Sequence, residues 1–460
     1  MRRNYIGLAN TYHDSAIAIV DHDGNLVFAE GTERYTQNKR AFHCPADVYA
    51  RLRDLVAAHL DRSAETVVAL TWTDRSAAEL SARLETQSDE PPEGASPFER
   101  LVMSKVAYID RSQLHAQRAA GLGLQAVLDR WDPPRRLVRR SYEHHLCHAA
   151  AACLSSPFSE ATCAVVDGFG EDSSTNFYHY RDGRLTELDR AMRAPSAASL
   201  GMFYALICDM CGFDMHLGEE WKVMGLAPYG AVDDELYRAF DRLIEVDGLT
   251  LRTADRAAFD HYYTRWRSGE VRVARADLAH TGQRVFEDKL FRLLNNLAEI
   301  AGASSHLVLG GGCGLNSSAT GKLVERTAFS DVYVFCAPAD DGNAVGAALL
   351  AYQDDHRERV WPPRIRSPYL GSSVHPETLG NLVRFGGPAA PRHIPGSAPS
   401  RAAELLAQGK IIAWFRGPAE FGPRALGNRS ILAHPGIPDI KDQINARVKF
   451  REEFRPGRSA

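Results

Sequence analysis

One pattern occurs twice in this chain, and it constrains the fold more than any single residue does. Ile6 to Ala9, Ser15 to Val20 and Leu26 to Glu30 are short apolar runs, and Asp23-Gly24 separates the last two. Apolar runs on either side of an Asp-Gly pair are a hairpin signature, because the tight turn needs residues that tolerate positive φ. Ala161 to Asp167 reads as a buried strand ending in Asp-Gly; Phe177 to Tyr180, an Asp182-Gly183 turn and a run from Leu185 follow. Strand, glycine turn and strand therefore recur, and two related β-rich halves are expected.

Other segments fill in an α/β plan. Val48, Leu52, Leu55, Val56 and Leu60 fall at helical spacing within residues 46 to 61, which predicts a helix. Residues 86 to 98 are polar and proline-rich and read as a surface loop. Residues 284 to 301 read as an amphipathic helix. His306 to Leu309 reads as a strand entering Gly310-Gly311-Gly312-Cys313-Gly314-Leu315-Asn316, with a helix from about Ser317. Val332 to Phe335 is a further strand and Gly342 to Tyr352 a helix of small residues. Residues 354 to 373, rich in Pro, Arg and Ser, read as a linker, and a second domain is expected from about residue 375.

A length of 460 residues allows two or three domains. Its 45% hydrophobic and 24% charged residues are those of a soluble globular protein. A net charge of −4 gives no support to a nucleic-acid or membrane-surface partner. No stretch approaches the roughly 18 apolar residues that span a bilayer, and no signal-length apolar segment follows Arg2-Arg3. A cytoplasmic protein without a membrane partner is expected. The cysteines are scattered, and the lone Cys208/Cys211 CxxC reads as reduced thiols near a helix.

Several strings carry chemistry. In Glu143-His144-His145-Leu146-Cys147-His148 the first and third histidines are four apart, so a helix presents both on one face, as metal ligands often are; His145 points elsewhere. Incidental helix histidines are the alternative. Asp167 closes a strand before Gly168-Phe169-Gly170, and Asp340-Asp341-Gly342 precedes a helix. Each aspartate could ligate a cation, or else sit in a plain turn or cap. Two histidines and two carboxylates suit divalent iron, manganese or zinc. The glycine loop before Asn316 offers bare amides at a helix start, a phosphate-binding arrangement, though it is neither GxGxxG nor a Walker A loop. Glu220 and Lys222, in the turn-rich run Gly218 to Gly230, mark a site loop. Arg424, Lys449 and Arg455 belong to a cationic tail that suits phosphate groups, or is simply a solvated basic face.

Together these strings resemble the NodU/CmcH-type O-carbamoyltransferases, the family that decorates antibiotics and nodulation factors. The likeness runs in order through His13-Asp14-Ser15, Glu33-Arg34-Tyr35-Thr36 with Lys39, His144 to Ala149, Asp167-Gly168, Glu220 to Gly230, Gly311 to Asn316, Asp340 to Ala348, Glu420 to Leu432 and Asn445 to Pro456. It implies an actin-like ATPase (ASKHA) two-lobed domain over residues 1–355, a linker over 356–374, and an incomplete YrdC-like α/β domain over 375–460. It also implies that the second domain converts carbamoyl phosphate and ATP to carbamoyl-adenylate and pyrophosphate, and that the first passes the carbamoyl group to a hydroxyl of a secondary metabolite or sugar. By the same resemblance His144, His148, Asp167 and Asp340 hold a divalent metal, with Fe2+ foremost and Mn2+ or Zn2+ as alternatives. His13 would act as base and Lys39 would sit near the carbamoyl or phosphate group. Gly168, Gly311, Gly312 and Asn316 would hold the nucleotide, and Arg424, Lys449 and Arg455 would bind carbamoyl phosphate and Mg2+-ATP. A homodimer is a further expectation.

The family usually has Gly-Arg-Met-Glu where this chain has Gly417-Pro418-Ala419-Glu420, and it continues for roughly a hundred residues beyond the position of Pro456. Two alternatives stand beside the complete enzyme: a half-enzyme that transfers carbamoyl from an adenylate made elsewhere, and an inactive partner that binds nucleotide and metal.

Overall fold

The computed structural model describes residues 2–86, 92–188, 198–301, 304–359, 361, 366–386 and 396–455. The chain divides into two compact units, Met1–Arg366 and Ser367–Ala460.

The first unit is a mixed α/β body built on two five-stranded sheets. One sheet contains β1 (Arg3–Ala9), β2 (Ala16–Val20), β3 (Leu26–Gly31), β4 (Glu65–Leu70) and β5 (Leu137–Ser141) in the order β3-β2-β1-β4-β5. β1 to β3 form an antiparallel meander, and β4 and β5 continue from β1 in parallel. The other sheet contains β6 (Glu160–Val166), β7 (Thr175–Arg181) and β8 (Arg184–Glu187). After a two-stranded ribbon of β9 (Ile244–Asp247) and β10 (Thr250–Thr253), it is completed by β11 (His306–Gly310) and β12 (Asp331–Val334). Its order is β12-β11-β6-β7-β8, again a meander whose first strand leads into two parallel strands. The repetition legible in the sequence is thus a duplication of topology.

The duplication aligns two pairs of segments. Residues 10–15 follow the first strand of one sheet, as residues 167–174 follow the first strand of the other. The fifth strand of one sheet leads to a helix at His144–Cys153, and that of the other to a helix at Asn343–Asp355. Both helices are rich in small residues, with Ala149 to Ala152 buried on one and Ala344, Ala347, Ala348 and Ala351 buried on the other. Their backbones meet closely. A Cβ at Gly346 would lie 1.9 Å from the Cys147 carbonyl oxygen, and one at Gly7 on β1 would lie 1.8 Å from that of Ala344. Only hydrogen fits at either place.

The far end of the Asn343–Asp355 helix is tied to the first sheet. Asp355 accepts from Arg3 at 2.8 Å, Tyr5 at 2.9 Å and Arg140 at 2.7 Å. Burial works to raise the Asp355 pKa, but the hydrogen bonds from Arg140, Arg3 and Tyr5 outweigh it and hold the group at about 2.

The helix expected over 284–301 starts earlier, at Arg275. Its first turns hide polar residues. Gln283 is buried and bonded to Tyr204, Glu287 and Asn316, so the apolar periodicity breaks there although the helix does not. Of the loop expected over 86–98, residues 87–91 lie outside the described residues. Ser96 and Glu99 then form a capping box that starts the Pro97–Ala119 helix. Among the described residues no helix is long and apolar enough to cross a membrane.

The second unit contains an antiparallel pair, β13 (Ile412–Phe415) and β14 (Arg429–Leu432), with helices at Pro376–Asn381, Ala398–Ala407 and Ile440–Ile444. Its organising residue is Glu420. One carboxylate oxygen accepts from the backbone N–H groups of Leu426, Asn428 and Arg429 at 2.8, 2.8 and 3.0 Å. Burial opposes the charge, but these bonds keep the carboxyl below its ordinary pKa.

Two tests follow from the packing. Gly346→Val forces the helix pair apart and lowers unfolding stability by about 1–3 kcal/mol or more, read by denaturant titration. Asp355→Asn removes a carboxylate whose pKa is depressed on folding, so its contribution is present above the unfolded value of 3.8 and fades as pH falls towards 2. The variant is less stable than the parent by about 2 kcal/mol at pH 7, and the gap narrows in melts taken between pH 4 and pH 3.

Candidate metal centre

The helix crossing sets the site. Glu143 caps its helix by accepting from Leu146 N–H at 2.7 Å, and the four-residue spacing then turns His144 and His148 to one side. Asp167 comes from the end of β6, and Asp340 from the turn before the Asn343–Asp355 helix. All four residues are buried, and one ligand atom from each lies within 4.8 Å of every other.

The individual spacings are regular. The two Nε2 atoms are 3.2 Å apart. His144 Nε2 is 3.4 Å from Asp167 Oδ2 and 3.6 Å from Asp340 Oδ1; His148 Nε2 is 3.6 and 3.4 Å from the same oxygens. Ligands about 2.1 Å from a tetrahedrally held ion stand about 3.4 Å from each other. Donor type and spacing therefore fit a divalent cation. Without one, the carboxylates act on the imidazoles. Burial disfavours charge on His148, yet Asp167 and Asp340 push its pKa up to about 10. Asp167 and Asp340 are held below the ordinary carboxylate range against the effect of burial, Asp167 chiefly by hydrogen bonds to His144 and His148 and Asp340 chiefly by the charge of His144.

The glycine loop supports this cluster directly. Gly311 has φ of 87°, and a Cβ there would lie 2.3 Å from the Val166 carbonyl oxygen. The loop therefore lies against the end of β6, and Gly312 N–H donates to Asp167 Oδ1 at 2.7 Å. That bond leaves Oδ2 turned to the histidines. Asn316 has two local tasks: its amide exchanges hydrogen bonds with Gln283 at 3.0 and 3.1 Å, and its oxygen caps the short helix that follows by accepting from Ala319 N–H. The Gly168 carbonyl accepts from Ser199 Oγ, and the space beside its Cα is open.

His13 adjoins the cluster. Its Nδ1 is 3.0 Å from Asp14 Oδ2 and 3.8 Å from Asp340 Oδ2. Arg40 closes the arrangement, donating to Asp14 from Nε at 2.9 Å and from Nη2 at 2.7 Å, with Nη2 also 3.1 Å from His13 Nδ1. Burial opposes both charges, but the pair keeps Asp14 well below and Arg40 above their usual values. Asp341 behaves oppositely. Burial and the facing charges of Asp14 and Glu33 push it well above the carboxylate range. Lys39 Nζ sits 3.7 Å over the Trp221 ring, Glu220 Oε2 is 3.8 Å from Arg40 Nη1, and Lys222 pairs with Glu219 at 2.6 Å. Asp14 and Arg40, which the sequence does not single out for a role at the site, each directly follow a residue that it does, and they join His13 to the cluster.

The remaining predicted residues belong to the second unit. Arg424 and Lys449 are exposed, and Arg455 is half-buried, its carbonyl accepting from the buried Asn445 amide at 2.9 Å.

Fold and site together define a two-unit α/β protein with a buried histidine–aspartate centre. Residues 4–349 match the carbamoyltransferase N-terminus family model and residues 403–459 the carbamoyltransferase C-terminus model. The chain belongs to the carbamoyltransferase family. It is 29% identical to the uncharacterized protein sll1178 of Synechocystis, over 98% of this chain and 74% of that one. It is 37% identical to nodulation protein NolNO of Sinorhizobium fredii, over 68% of this chain and 46% of the relative, and 29% identical to nodulation protein U of the same species, over 96% and 77%. The chain thus spans about half the length of some relatives and three quarters of others. Among solved structures, (R)-2-hydroxyglutaryl-CoA dehydratase component A of Acidaminococcus fermentans aligns over 77% of this chain and 99% of its own, at 13% identity with a TM-score of 0.40.

Asp167→Asn and His148→Ala each remove a charged or donor ligand. Metal analysis of the purified variants is expected to show at least tenfold less bound metal than the parent, with far-UV circular dichroism unchanged.

Proposed function

We propose that this chain transfers a carbamoyl group to a hydroxyl oxygen of a small-molecule acceptor, a secondary metabolite or sugar, beside the centre formed by His144, His148, Asp167 and Asp340. The observation that carries the reading is the buried His2Asp2 set with His13 against it, in a chain of the carbamoyltransferase family. The duplicated sheet supports reading the first unit as an actin-like ATPase body. The second unit, with Arg424, Lys449 and Arg455, is read as the YrdC-like part that forms carbamoyl-adenylate from carbamoyl phosphate and ATP.

In this reading Fe2+, or Mn2+ or Zn2+, bound to the four ligands supplies a Lewis acid for charge developing on the carbamoyl or phosphate oxygens. The protein residues do the rest. Asp14 accepts the Nδ1 proton's hydrogen bond, which leaves the lone pair of His13 on Nε2 to take the acceptor proton. Arg40 balances the Asp14 charge. The acceptor oxygen bonds to the carbamoyl carbon as the bond to the adenylate oxygen breaks, and AMP leaves. The open side of Gly168, beside the glycine loop, offers a place for the nucleotide, and Lys39 a counter-charge.

The test is incubation with carbamoyl phosphate, Mg2+-ATP and a panel of alcohols, following pyrophosphate release and carbamoyl transfer. Transfer with ATP supports the complete reaction. Transfer only from synthetic carbamoyl-adenylate selects the half-enzyme, and neither, with metal bound, rejects the proposal. His13→Ala is expected to lower transfer by about 10²–10⁴-fold while leaving bound metal unchanged.

A further inference from the structure

Asn343 lies one turn after Asp340, at the start of the helix that carries Gly346, and is completely buried. Its Nδ2 is 3.4 Å from His144 Nδ1. Its Oδ1 has no hydrogen-bond partner among the described residues. A buried amide carbonyl is rarely left unpaired, because it loses its hydrogen bonds to water on burial.

The two ends of the amide read two forms of His144. With NH2 facing Nδ1, that nitrogen is the acceptor and the ring proton sits on Nε2, 3.4 Å from Asp167 and 3.6 Å from Asp340. In that form Nε2–H points to the carboxylates, with His148 Nε2 3.2 Å away as a second neighbour. That form cannot ligate an ion, because the Nε2 lone pair is occupied by the proton. With the amide turned over, Oδ1 accepts Nδ1–H and Nε2 presents its lone pair to the cluster centre.

We infer that Asn343 is the positioning residue of the metal centre: its amide inverts when a divalent cation enters, and its carbonyl then holds His144 in the ligating tautomer. This rests on the metal part of the reading above and goes beyond it. It accounts for the orphaned oxygen, which gains a partner only in the metal-bound form. The Trp72 ring lies tilted against His144 with centroids 4.5 Å apart and packs one side of the imidazole. His148 has no such amide among its described contacts, and Asp167 is held instead by Gly312 N–H.

The experiment is competitive Co2+ titration of the full chain against a chromophoric chelator, with the cobalt visible spectrum as a second readout. Asn343→Leu keeps size and burial but has no acceptor; its Co2+ affinity is expected to fall by about 10–100-fold. Asn343→Asp restores an acceptor and is expected to recover affinity to within about tenfold of the parent, with the parent's spectrum. Asn343→Leu binding Co2+ as tightly as the parent overturns the role of Asn343 alone, as does equal loss in both variants. A parent chain that takes up no Co2+ overturns the metal reading itself. Metal-free melting curves of both variants report any folding loss separately.

Discussion

Everything at the histidine–aspartate cluster depends on two helices passing close enough for one carbonyl to touch a Cα. The Cys147 carbonyl occupies the place where any side chain at position 346 would begin. That approach brings the turn bearing Asp340 to the face bearing His144 and His148. Elsewhere in a core, a void can be filled by a larger neighbour. Here the clearance decides whether four donors converge, and alanine and glycine on both helices are the means of holding it small.

Around this contact the charges are arranged in pairs. Asp167 and Asp340 face the two histidines, Asp14 faces Arg40 and His13, and Asp341, with Asp14 and Glu33 close by, is driven towards its neutral form. A buried carboxylate survives only if something compensates it. Asp167, Asp340 and Asp14 each face a histidine or an arginine, whereas Asp341 meets the same requirement by moving towards its neutral form. The neighbouring residues 37–43 are tightly wound, with Gln37, Arg40, Ala41 and His43 all at positive φ. Such backbone persists only where surrounding contacts over-determine it, and the bonds of Arg40 to Asp14 and of its N–H to Glu33 supply them.

Much of this was legible in the chain. The repeated hairpin signal corresponds to the repeated sheet, and the i, i+4 histidines do share a helix face. The rest is hidden for reasons that lie in how such signals arise. Gln283 and Thr281 are polar yet buried, so periodicity failed to mark the first turns of their helix. Asp14 and Arg40 come together across 26 residues, a distance over which local spacing carries no information. The glycine loop was legible as a close approach, but not that the approach is to the end of β6 and through Gly312 to Asp167. Asn343 gives no signal at all in sequence, since its role depends on which atom of its amide faces an imidazole.

The duplicated topology has a mechanical consequence. Two donors come from the helix that closes the first repeat, one from the first turn of the second repeat and one from its end. An ion bound there would be a staple between the two repeats, joining donors that lie almost two hundred residues apart in the chain, from His144 to Asp340. Such an ion would tighten the body as a whole, since a hundredfold excess of ligand over its dissociation constant adds about 2.7 kcal/mol to the stability of a folded state that alone binds it.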